Sequence, residues 1–116
     1  MLFRSAFAGD VPVGATVQLM KTNYDNVVQA ASGAALASTT RLPAADAELA
    51  LLVSCVGRKM VLKQRVDEEV EGVREVLGTR PVLTGFYSYG EIAPFSPHAR
   101  CELHNQTMTI ATFCET

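Results

Sequence analysis

Leu49-Ala50-Leu51-Leu52-Val53 is an apolar run without a polar interruption, preceded by Glu48 and followed by Ser54-Cys55-Val56-Gly57-Arg58. A half-buried strand alternates apolar with polar residues, so five apolar residues in succession describe a strand covered on both faces, the centre of a sheet. Gly57 marks a turn at its carboxyl end. Beyond it, from about Arg58, Leu62, Val66, Val70, Val73 and Leu77 recur at helical spacing up to Gly78, which turns Asp67, Glu68, Glu71, Arg74 and Glu75 to water. Pro81 then opens an extended stretch over residues 82–92. Strand, helix and strand in that order make the repeating unit of a parallel sheet.

The rest of the chain extends this unit on both sides. Residues 2–8 lack a helical period and read as a strand ending at Gly9-Asp10. Val17 and Leu19 alternate with Thr16 and Gln18, which predicts a second strand over 15–20. Asn23 or Asp25 can cap a helix with Tyr24, Val27, Val28, Ala31, Ala34 and Ala35 inward. Its small residues allow close packing, and Gly33, which costs about 1 kcal/mol in mid-helix, reads as a point of close approach. Pro43 breaks the pattern, and Pro94 and Pro97 make a loop after residue 92. The expectation is a single domain over residues 1–116, α/β in class. Its mixed sheet of about six strands follows the order ββαβαββ, with three parallel strands at the centre, antiparallel margins and both main helices on one face.

The closing stretch supports a hairpin. With Asn105-Gln106 as a two-residue turn, Cys101, Leu103, Met108 and Ile110 share one face, while Glu102, His104, Thr107 and Thr109 share the other. A slip of one residue would scramble that separation. Upstream, in an extended chain, Tyr87, Tyr89 and Glu91 point the same way, and two phenols and a carboxylate are costly to bury unpaired.

Charge and composition exclude several classes. The formal net charge is -2, without the clustered Lys and Arg that nucleic acid requires. The one basic run, Arg58, Lys59, Lys63 and Arg65, reads as a helix surface. The longest apolar run is far too short to cross a bilayer. Three cysteines cannot all pair within the chain, and no signal sequence is evident, so a reduced cytoplasmic setting is expected.

G-F-Y-S-Y-G-E-I-A-P from Gly85, C-E-L-H-N-Q-T-M-T from Cys101, C-V-G-R-K from Cys55 and the Glu68-Glu69 pair together resemble the FIST domain family, specifically its C-terminal part. The likeness runs in order from about Val13 to Glu115. It implies a sensory, small-ligand-binding module of intracellular signalling proteins. The family's N-terminal FIST part is the implied neighbour, and a signalling output domain or a homo-oligomer the further partner. Some proteins of the family are described as haem-containing gas sensors, which makes His104 the residue to test as an axial ligand, and haem the alternative cofactor.

Ligands of α/β proteins gather beyond the carboxyl ends of parallel strands. Cys55, Gly57 and Arg58 at the end of one strand, with Tyr87, Tyr89 and Glu91 at the end of its neighbour, form the expected ligand-binding rim, joined by His104, Asn105 and Thr107. Backbone amides at Val56 and Gly57 beside Arg58 suit the carboxylate of an amino acid. Glu91 suits its ammonium group, or else pairs with Arg58 or Arg100. His104 can instead fix the hairpin by bonding to backbone. Cys55, His104 and Glu91 or Glu102 supply the residue types of a nucleophilic enzyme, but from separated segments, and no GxSxG, HExxH, paired CxxC or phosphate loop is present. The function expected is ligand sensing without catalysis or a resident metal. An assembly module using an uncovered sheet face is the third reading.

Overall fold

The computed structural model describes residues 7, 9–96 and 98–115. The first helix, α1 (Tyr24–Ser38), is capped by Asn23, whose side-chain oxygen accepts the Asn26 amide at 2.8 Å. The apolar run forms β1 (Leu49–Cys55), which passes without a loop into α2 (Val56–Leu62). A 3-10 turn (Lys63–Arg65) leads to α3 (Val66–Leu77), ended by Gly78 at φ 75°. Four strands follow: β2 (Val82–Ser88), β3 (Glu91–Pro94), β4 (Cys101–His104) and β5 (Met108–Phe113).

Helices α1 and α3 lie together on one face of a three-stranded sheet in the order β2-β1-β5, as the clustering of small and apolar residues predicts. The core is Ala31 and Ala35 of α1, Ala50 and Leu52 of β1, Val73 and Leu77 of α3, and Met108 of β5. Gly72 sits where a side chain would meet Ser32 Oγ at 2.7 Å, so the two helices approach closely at that point. Strand β1 is central, parallel to β2 and antiparallel to β5. Among the described residues the other face has no second layer. Leu49, Val82, Phe86 and Phe113 are exposed there, and Leu51 and Val53 are half-buried. The run of five apolar residues therefore has one covered face where two were expected.

Several sequence expectations are corrected. The strand over 2–8 falls almost wholly outside the described residues. Residues 15–20 are not a strand and pair with nothing described, so the described residues form five strands where about six were expected, and the parallel centre is the single pair β1 and β2. The helix expected from Arg58 to Leu77 is broken at Lys63, whose backbone takes φ 55°. The break resets the helical phase, so that Glu69 and Gly72 join Val73 and Leu77 inside while Val70 turns outward. A Cβ at Gly33 would meet nothing within 4 Å, so no close approach explains that glycine. The extended stretch 82–92 divides at Tyr89-Gly90, which ends the shared face of Tyr87, Tyr89 and Glu91.

The 101–110 hairpin does not form either. Strand β4 pairs with β3 in a separate two-stranded sheet, Glu91 opposite His104 and Ile92 opposite Leu103, while β5 leaves to line β1. The favoured two-residue hairpin turns need positive φ at the first central residue, Asn105 here, and type I′ needs it at both. Only Gln106, at φ 58°, has it, and the chain turns a corner between sheets instead.

Candidate functional site

At the carboxyl end of β1 the expected rim is closed by the protein's own side chains. Arg58 and Glu69 are both buried, and Arg58 Nε donates to Glu69 Oε2 at 3.0 Å. Arg58 Nη2 donates to the Val27 carbonyl at 2.6 Å, which fastens α2 to α1. The second carboxylate oxygen of Glu69 accepts Ser54 Oγ at 3.0 Å and the Tyr87 hydroxyl at 3.3 Å. Burial first, then the charge of Glu69 and the bond to it, raise the Tyr87 phenol above its usual range. The Lys59 ammonium stands 5.0 Å over the Tyr87 ring. Arg58 thus pairs with Glu69 and not with Glu91.

Cys55 is buried, its amide bonded to the Thr107 carbonyl at 3.0 Å. Gly57 lies inside α2, and a Cβ there would stand 3.0 Å from Gln106 Cγ, so the glycine admits the β4–β5 corner and no open turn exists. Glu91 is buried at 2% exposure and accepts Thr107 Oγ1 at 2.8 Å, and Ser88 Oγ in a short bond. Tyr89 is 90% exposed and stands apart from both clusters. Asn105 is exposed on the corner. The structure therefore divides the nine expected residues: Arg58 and Tyr87 join one buried network, Glu91 and Thr107 join another, and Cys55 and Gly57 lie packed at the corner between β1 and β5. Among the described residues, no buried side-chain nitrogen or oxygen lacks a hydrogen-bond partner.

Open space lies elsewhere. A cleft of about 660 Å³ runs beside the outer edge of β5, walled by the end of α1, by residues 40–42 and by the β3–β4 sheet. Leu42, Phe95, Met108 and Ile110 give it apolar walls, and Arg41, His104 and Thr107 are its main polar members. His104 is half-buried, with Nε2 donating to the Ala93 carbonyl at 3.0 Å and Phe95 6.2 Å from it, ring centre to ring centre. At the helix end, the hydroxyls of Ser38, Thr39 and Thr40 donate to the carbonyls of Ala35, Leu36 and Ala37. A smaller slot of about 270 Å³ opens beside Gly85 and reaches Ser54, Glu69 and Tyr87.

Of the residues expected from the sequence, His104 and Thr107 lie on this cleft; Glu69 was noted only as part of the family resemblance, and Ser54 and Arg41 were not singled out. Glu69 had a usable signal, because it stands four residues before Val73 and eight before Leu77, an acid on an apolar stripe. Arg41 had none, since only the fold brings residues 40–42 across from β5.

Taken with its fold, this arrangement defines a two-layer α/β domain with a ligand-sized cleft at a sheet edge. Residues 5–94 match the family model described as the FIST C domain, and the chain belongs to that family, sensory domains of signal-transduction proteins. The match includes the segments around Cys55, Glu69 and Tyr87 and stops before the stretch from Cys101 to Thr109. No curated protein and no solved structure shows a significant match to the chain. Among the described residues no helix is long and apolar enough to cross a membrane, and no group of three metal-ligating side chains is assembled. For haem the candidate is His104, but its Nε2, the nitrogen that ordinarily holds haem iron, is bonded to the Ala93 carbonyl, so the site as folded does not fit the group.

Proposed function

We propose that this domain senses a small molecule bound in the cleft beside β5, with an amino acid as the ligand class, and that it does so without catalysis. The observation that carries the reading is the cleft wall, where apolar side chains such as Leu42, Phe95 and Ile110 stand among polar ones such as Thr40, Arg41, His104 and Thr107. Its volume of about 660 Å³ lies within the range of small-molecule sites. The carbonyl end of α1 carries the negative end of the helix dipole and favours the ammonium group of such a ligand. The walls belong to separate units, α1 with β5 on one side and the β3–β4 sheet on the other. A ligand touching both favours one of their relative arrangements, which is what a sensor requires. This reading moves the ligand from the rim at Arg58 to the cleft and keeps His104 and Thr107 from the original set.

A thermal-shift panel of amino acids at millimolar concentration tests it. A ligand at a hundredfold excess over its Kd adds about 2.7 kcal/mol of stability. Ala37→Trp, at an exposed helix position on the cleft wall, is expected to remove the shift and leave the fold intact. A panel with no stabilising member, or a shift that survives Ala37→Trp, overturns the reading.

A second reading, haem held by His104 with the iron supplying binding of a diatomic gas, requires Nε2 to leave the Ala93 carbonyl. A Soret change on haem addition that is lost in His104→Ala supports it, and a change that survives rules out that ligand. Three free cysteines, two of them exposed, suit a reducing compartment and support a cytoplasmic setting. The N-terminal FIST part and a signalling output domain remain the proposed partners.

A further inference from the structure

The slot of about 270 Å³ between α3 and β2 differs in chemistry from the cleft beside β5, and among the described residues only Met108 lines both. Leu52 and Met108, members of the core, line the slot together with Leu83, and Val70 of α3 stands at its outer wall, 42% exposed. Its buried end is formed by Ser54, Glu69 and Tyr87.

Those three side chains offer a guest one kind of contact. Ser54 Oγ and the Tyr87 hydroxyl each donate their single hydrogen to Glu69 Oε1, and Arg58 Nε donates to Oε2. Glu69 thus accepts three bonds of the roughly four that a carboxylate can take, and each hydroxyl oxygen keeps its lone pairs. The buried end therefore presents acceptors and no side-chain hydrogen, so a guest has to bring an N–H or O–H. A carboxylate would turn further lone pairs toward the charge of Glu69. An ammonium group would meet the buried Arg58 guanidinium and the Lys59 ammonium, which stands 5.0 Å over the Tyr87 ring. Both charged ends of an amino acid are disfavoured here. The remaining wall is apolar, and the volume lies below the range of drug-sized sites, which suits one flat ring system lying between helix and sheet. The Met108 sulfur and the Tyr87 ring favour an aromatic one.

We propose that this slot is a second binding site, for a small neutral aromatic molecule with one N–H or O–H. Its ring lies between Val70 and Leu83, and its donor points to the oxygens of Ser54, Glu69 and Tyr87. The inference does not rest on the cleft, because the two sites take opposite classes of ligand, one zwitterionic and the other uncharged.

Titration of indole into the isotope-labelled full chain, followed through its amide resonances, tests it. Saturable shifts at Ser54, Val70, Leu83 and Tyr87 are expected, with Ala37 and Phe95 on the cleft wall unmoved. Indene, the same shape without the N–H, is expected to bind at least about tenfold more weakly. Val70→Trp, at an exposed helix position, is expected to fill the mouth of the slot and weaken indole at least about tenfold, with far-UV circular dichroism unchanged. Should it disturb the fold, Val70→Phe replaces it. Loss of the amino-acid response in Ala37→Trp leaves indole binding untouched, so the two sites fail separately. No saturation at millimolar indole, shifts centred on the cleft, indene as tight as indole, or binding that survives the change at Val70 overturns the proposal.

Discussion

Gly85 stands opposite Leu52 in the parallel pair, where a Cβ would overlap the Leu52 carbonyl. A glycine within a strand marks a place of close approach, and the group that approaches here is the neighbouring strand, not a ligand. Gly85→Ala is therefore expected to cost about 3 kcal/mol or more, read as a lowered urea midpoint. Gly33→Ala is the opposite case, since its Cβ meets nothing, and it is expected to add about 1 kcal/mol through helix propensity. The two glycines look alike in the sequence, because open space and a backbone carbonyl leave the same mark there. Tyr87 gives a pH prediction. Its folded pKa is raised, so the folded protein holds the phenol proton more tightly than the unfolded chain does. The contribution is complete below the ordinary phenol value of about 10 and is lost as pH rises through the higher folded value. Urea midpoints between about pH 9 and 11 are expected to fall more steeply in the parent than in Tyr87→Phe.

The buried ion pair Arg58–Glu69 joins α2 to α3, reaches α1 through the Val27 carbonyl and the sheet through Ser54 and Tyr87, and its two members behave differently alone and together. Glu69→Ala leaves the Arg58 guanidinium buried with only the Val27 carbonyl, and is expected to cost about 3–5 kcal/mol. Replacing both, Arg58→Met with Glu69→Leu, removes the uncompensated charge and is expected to cost much less, so a double-mutant cycle should show strong coupling. Half of this pair was legible. Arg58 stood out beside Gly57 at a strand end, whereas Glu69 was hidden by a helical period counted from Leu62. That count fails at Lys63, because a left-handed residue shifts the phase of everything after it. Elements defined by local pattern were legible: β1 by its apolar run, α1 by Asn23 and its alanines. The partner of β4 was not, because the same alternation of Glu102 and His104 with Leu103 suits β3 as well as β5, and only the demand of β1 for a second neighbour decides between them.

At the scale of the whole molecule the chain is extended. Its radius of gyration is 15.8 Å and its extents are 59 × 34 × 19 Å, against roughly 13 Å expected for a compact domain of this length. The shortest dimension matches one helix layer and one sheet, and among the described residues nothing covers the far side of β1. Stability should then be graded. The β1 amides lie between two strands under the core and are expected to exchange with solvent only through global opening. The β3–β4 sheet has two strands, exposes Ile92 and Leu103, and is tied to the body at Glu91 through Ser88 and Thr107. Two strands alone are marginal in water. Glu91→Ala removes that tie and is expected to speed hydrogen exchange of residues 91–104 by at least about tenfold, with β1 unchanged. Equal acceleration in β1 would mean that the small sheet and the core open as one unit. In that case the two walls of the cleft could not move separately, and a ligand bound between them would have no second arrangement to select against.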